Sequence, residues 1–164
     1  MVFHFGLDFD GPVFREKKDE TAPFFGPKSL VRWLETALGL GSRPENTDYL
    51  RIELFRQSLQ QFLRERPVAF FAKSFEADRF ATAQHLLDWR DELLIAGWDF
   101  QTDFEAGPNL IRLAELAEVE VFFREKINDA DLNPQAFGWA DRLHQIIQSI
   151  DNQQFAFRKI CLHE

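Results

Sequence analysis

The stretch VFHFGLDFDGP, residues 2–12, changes character halfway along. Residues 2–7 form an apolar run that reads as a β-strand. Asp8 and Asp10 follow, one residue apart, and the Gly11-Pro12 pair then turns the chain. An opening strand commits the fold to a sheet. Whether the two carboxylates after it do chemistry is a separate question.

Outward from this strand the signals are mostly helical. VFREKKDETAPFF (13–25) allows a weak second strand, and FFGPKSLVRWLETALGLG (24–41) then carries agreeing helix signals. Pro27 suits the first helical position, where its missing N–H costs nothing. Leu30, Val31, Leu34 and Leu38 share one face, and Gly39 or Gly41 closes the helix. A second helix starts around 46–48 and stops at Pro67, with Ile52, Phe55, Leu59 and Phe62 on one stripe. VAFFAKSFEADRF (68–80) reads equally as a short strand, a buried turn or a helix start. From Asp78 the pattern is clearly helical, with Phe80, Ala83, Leu87 and Leu94 inward and Gly97 at the end. After the loop DFQTDFEAGP (99–108), Pro108 opens a further helix. After the loop NDADLNP (128–134), another helix places Leu143, Ile146, Ile147 and Ile150 inward. QQFAFRKICLHE (153–164) alternates as a closing strand would. The expected fold is an α/β core that is mostly helical by count. The first and last strands share a small sheet, formed by 1–42 and 152–164, and 43–151 is a helical insertion within one module.

With 164 residues the chain can bury a core without a disulfide or a metal. The single Cys161 rules out an internal disulfide and suits a reducing compartment. Met1 leads into no basic, then apolar, leader, and no stretch has the length of a membrane span, so a soluble, cytoplasmic protein is expected. The net charge of −8 makes stand-alone binding to a phosphate backbone unfavourable. Phe dominates the aromatics, and Phe100 and Phe104 fall in a polar stretch. They either tuck back onto their own domain or meet another surface.

Several short patterns carry possible chemistry. LDFDGPV resembles the nucleophile loop of Mg²⁺-dependent phosphatases of the haloacid dehalogenase class, with Asp8 as nucleophile and Asp10 as acid/base. The match stops at Gly11, because Pro12 removes an N–H where that loop should hold phosphate. Ser74, Asp129 and Asp131 are the candidates for the remaining parts, and neither aspartate follows an apolar strand. FFGPKSL resembles the end of a P-loop, making Gly26, Lys28 and Ser29 nucleotide-binding candidates. The earlier glycine is missing, and Pro27 interrupts the backbone donors that would wrap a phosphate. No nucleotide or other cofactor is therefore expected. His4, His85, His144 and His163 share no metal spacing, and Cys161 with His163 lacks two further ligands, so no metal is expected. Arg90, Asp91 and Glu92 read as a solvated helix face with a local ion pair.

Taken together, several segments resemble the N-terminal region of large bacterial PD-(D/E)XK nuclease proteins, the AddB/RecB-like helicase–nucleases. FFGPKSLVRWLETALGLG, YLRIELFRQSLQQFL, FFAKSFEADRFATAQHLLDWRDELLIAGWDF and FGWADRLHQII occur in that family's order, and the likeness covers most of the chain. LDFDG fits as well, at the turn after the first strand. The most specific part contains Ser74, Asp78, Thr82, Trp89, Arg90, Asp91, Glu92, Leu93, Gly97 and Trp98. The resemblance implies a helicase-like domain with a decayed P-loop and an inserted helical lobe. It also implies that the nuclease carboxylates lie in a downstream segment. The chain would then be a non-catalytic module of a DNA repair or recombination nuclease. Its partners would be downstream domains or another protein, with DNA contacted only in that context. A helical adaptor binding other proteins through exposed Phe residues is the remaining expectation.

Overall fold

Val2–Gly6 forms β1, the middle strand of a three-stranded parallel sheet. A computed structural model describes residues 2–12, 22–40, 48–100, 110–128, 137–153 and 159–163. β2 (Phe24–Phe25) lies on one side of β1, with Phe5 opposite Phe25. β3 (Lys159–His163) lies on the other, in register from Val2↔Lys159 to Gly6↔His163. Six helices are present among the described residues, α1 (Pro27–Ala37), α2 (Asp48–Glu65), α3 (Ala72–Ala77), α4 (Arg79–Ile95), α5 (Ile111–Ile127) and α6 (Trp139–Gln153). The protein is thus mostly helical with a small parallel sheet. It divides into two compact units, 1–42 with 145–164 and 43–144.

In the sheet unit, side-chain alternation along β1 sends Phe3 toward α1. Phe3 is buried, edge-on to Phe25 at 5.6 Å and tilted against Trp33 of α1 at 6.5 Å. Val31, Leu34 and Leu38 are buried as their spacing predicts, and Leu30 is half-buried. Ile160 and Leu162 stand in register with Phe3 and Phe5 and so share their face, yet they are 46% and 78% exposed. Strands of parallel sheets are ordinarily covered on both faces. The β3 side of this one is open among the described residues.

In the helical unit, Ile52, Phe55, Leu59 and Phe62 of α2 form the predicted buried stripe. Phe55 meets Phe123 of α5 edge-to-face at 5.1 Å, and Leu86, Leu87 and Leu94 of α4 join the same cluster. The ambiguous segment before α4 resolves into a turn followed by α3. Asp78 then caps α4, its carboxylate accepting from the N–H groups of Phe80 and Ala81. Gly97 ends α4 at φ +92°, and its N–H and that of Trp98 bond the Leu94 and Leu93 carbonyls. This left-handed closure favours glycine. Gly39 closes α1 the same way, at φ +71°.

Charged residues also sit inside this core, and here the sequence expectation is corrected. Arg90 is not on a solvated face. It is 1% exposed and donates to Glu120 of α5 through Nε at 2.9 Å and Nη2 at 2.7 Å. Its Nη1 pairs with Asp91 at 3.0 Å and with Asp141 of α6 at 2.5 Å. Arg51 of α2 binds Asp91 in a bidentate fork at 2.5 and 2.6 Å and reaches Asp141 at 2.9 Å. Arg124 adds Glu120 at 2.9 Å and the Asp99 carbonyl at 2.8 Å. Three guanidiniums therefore meet three carboxylates across α2, α4, α5 and the first turn of α6. Burial alone would push the Arg90 charge off; the Glu120 hydrogen bonds and the Asp141, Glu120 and Asp91 charges outweigh it and raise its pKa. Burial likewise opposes the Asp141 carboxylate, but Arg90, Arg51 and the Gly138 N–H hold its pKa below the ordinary value.

Other expectations shift too. Phe100 tucks inward at 8% exposure with φ +64°, its ring 4.1 Å from Trp98 and flanked by the Arg90 and Arg124 guanidiniums. Phe104, Asp129, Asp131 and the helix start at Pro108 lie outside the described residues. Phe80, expected inward, is 37% exposed and stacks on Tyr49, because it sits in the first turn of α4 beyond the main stripe. Ile147, also expected inward, is 57% exposed. No helix among the described residues is long and apolar enough to cross a membrane.

Removing one member of the network strands its partners in a dry site. We predict that Arg90→Ala lowers stability by about 3–5 kcal/mol, read from urea unfolding. The paired change Arg90→Met with Glu120→Leu should cost less than the two single changes summed, because neither charge is then left alone. Additive losses would show that the network is not a coupled unit.

Candidate functional site at the carboxyl end of the sheet

In open parallel sheets a ligand crevice forms outside the carboxyl ends of the strands, where connections leave in opposite directions. With the order β2-β1-β3, that place lies between the ends of β1 and β3. Asp8 and Asp10 follow β1 at this end of the sheet, on a 3₁₀ turn over Leu7–Asp10, and α1 begins beside Asp10.

Gly26 precedes α1 and Pro27 is its first residue, so the helix opens with N–H groups and no side-chain cap of its own at Gly26. Asp10 supplies one from the preceding turn. Its Oδ2 accepts from the Lys28 N–H at 2.5 Å, and its Oδ1 accepts from the Ser29 N–H at 3.1 Å and the Ser29 hydroxyl at 2.6 Å. The same hydroxyl accepts from the Gly26 N–H at 2.9 Å. A β-carbon on Gly26 would overlap the Asp10 carboxyl, so this approach requires glycine. Partial burial works against the Asp10 charge; the Ser29 hydroxyl and the Lys28 and Ser29 N–H groups outweigh it and lower the pKa. A carboxylate at a helix N-terminus also gains from the aligned peptide dipoles.

The structure therefore brings Asp10, Gly26, Lys28 and Ser29 together, but with the anion-binding donors already engaged by Asp10. A general acid needs a raised pKa, and Asp10 has the opposite shift. Asp8 is exposed and takes no part in these contacts. Beside the turn, His4 and His163 bond ring to ring at 2.8 Å, one donating and the other accepting. Phe24 stacks on His4 at 4.5 Å, and Phe9 packs on Phe24 and His163 at 5.4 Å each. Aromatic rings thus gather where a crevice would open. Cys161 lies opposite His4 in the sheet register, and no group of three or more potential metal ligands occurs among the described residues.

Several of the helical residues singled out in the sequence shape the helices or their packing. Asp78 and Gly97 start and stop α4, and Arg90 and Asp91 belong to the ion network. Trp98 packs on Phe100, and Leu93 is half-buried against the core and takes the Trp98 N–H on its carbonyl. Glu92 is exposed. Ser74, Thr82 and Trp89 line a cleft of about 420 Å³ with Phe70, His85 and Arg112. Sequence reasoning missed Arg51, Glu120 and Asp141. For Glu120 the signal was a charge interrupting the apolar helical stripe of Leu116, Phe123 and Ile127. No protein-family model matches the chain, and neither curated proteins nor solved structures yield a match.

The cap makes a prediction about pH. Asp10→Ala should lower stability by about 1 kcal/mol at neutral pH, the usual worth of a carboxylate cap. Because the folded pKa is lowered, this contribution is fully present above the ordinary aspartate value of 3.8 and fades as pH falls through the lowered one. Urea midpoints of the two proteins should therefore converge in acid. A constant gap down to the lowest accessible pH would contradict the carboxylate's role.

Proposed function

We propose that this chain is a non-catalytic, helicase-like module of a DNA repair or recombination nuclease, positioning neighbouring domains or guiding a strand between them. The observation that carries this reading is the Asp10 carboxylate on the Lys28 and Ser29 donors of α1. A nucleotide phosphate would need those same N–H groups, and it would meet a negative charge in their place. The sequence likeness to AddB/RecB-like helicase–nucleases supports the DNA context. Ile160 and Leu162 on β3, uncovered among the described residues, support a sheet that receives further structure, from the same chain or a partner. In this reading the protein contributes shape and docking surface, and the chemistry is done by domains held beside it.

The purified chain should hydrolyse ATP with Mg²⁺ no faster than the Lys28→Ala variant or a buffer blank. Turnover above the blank that disappears in Lys28→Ala would defeat the reading, because it would make α1 a working phosphate site.

A further inference from the structure

We propose that the cleft between the end of α2, α3 and the start of α4 is a docking site for an acidic, amphipathic peptide segment of a partner protein. This deepens the scaffold reading by naming what is held, and it stands on residues that play no part in the nucleotide question. The cleft has a volume of about 540 Å³, with Leu63, Val68, Ala72 and Phe75 among its apolar lining. Val68 is 91% exposed, an apolar side chain held out into water at the mouth. Arg64, Lys73 and Arg79 line the same cleft, against one carboxylate, Glu76.

Charge is the stronger argument. In a chain of net charge −8, five guanidiniums of the helical unit already have a carboxylate. Arg56 holds Glu53 at 2.7 Å, Arg66 holds Glu118 at 2.9 Å, and Arg51, Arg90 and Arg124 belong to the buried network. Arg64, Lys73 and Arg79 are exposed and pair with no acid among the described residues. Arg79 also stands in the first turn of α4, where the helix dipole disfavours a cation. Three cations that pair with no acid among the described residues, around an apolar floor, complement carboxylates flanking an apolar anchor. Single-stranded nucleic acid fits less well, because it calls for open aromatic faces on which bases stack. The aromatic ring of this cleft, Phe75, is 5% exposed.

The test is fluorescence anisotropy of a labelled amphipathic peptide built from Leu and Glu, with an Ala-for-Leu peptide and labelled oligothymidylate for comparison. The Leu/Glu peptide should bind saturably below about 1 mM, and more weakly as salt rises. Affinity should fall by at least about tenfold in the Arg64→Glu, Lys73→Glu, Arg79→Glu triple variant, in Val68→Asp, and for the Ala peptide. All four positions are exposed, so folding should persist, and circular dichroism checks it. Should the triple variant misfold, Val68→Asp alone decides. The proposal is overturned by lack of saturable binding, by affinity unchanged in the variants, by preferential oligothymidylate binding lost in them, or by self-association through this cleft. None of those outcomes would alter the ATP result.

Discussion

One carboxylate takes three donors at the start of α1, and the character of the sheet unit follows from it. A helix that begins Gly-Pro has a bare N-terminus, which in a parallel sheet is the natural seat of a phosphate. Here the turn after β1 bends back and places Asp10 on the Lys28 and Ser29 N–H groups. Both ends of the turn are thereby fixed, because β1 lies in the middle of the sheet and α1 packs on its Phe3. The contact ties strand, turn and helix together with chemistry that a P-loop would reserve for its ligand.

The helical unit depends on a different solution to the same problem of holding charge in place. Six ionised groups on four helices would each be costly to bury alone, and equal numbers of the two signs with shared hydrogen bonds make their burial tolerable. Arg90 lies at the centre, bonded to α5 and α6 and to its own neighbour Asp91. His144, one turn beyond Asp141, is pushed below the ordinary histidine range by burial first and then by Arg124 and Arg90. A network of this kind specifies which helix faces meet, because any slip in register would leave a charge unmatched. We infer that it sets the arrangement of α2, α4, α5 and the first turn of α6, while the Phe55–Phe123 cluster supplies most of the burial.

Local rules made much of this legible. Pro27, Gly39, Asp78 and Gly97 marked helix ends by their own backbone chemistry, and the α2 stripe was set by period alone. What local rules could not reach were pairings distant in sequence. Asp10 capping a helix that begins after Gly26 is invisible to any window centred on either segment. Arg90 beside Asp91 looked like a surface pair because its partners, Glu120 and Asp141, lie 30 and more residues away. Phe80 and Ile147 were misplaced for a related reason: each is apolar at a position near a stripe, and tertiary neighbours rather than period decided its exposure. For the candidate site, residue types were readable and their engagement with one another was not.

The donors at the head of α1 are already occupied by Asp10. The most direct measurement is the backbone amide resonances of Lys28 and Ser29 during a titration with inorganic phosphate at neutral pH. We predict that both signals stay where they are, shifted only as much as exposed amides elsewhere in the chain. Saturable movement of these two amides, with loss of the Asp10 carboxylate contact, would contradict the account and restore a phosphate site to the head of α1.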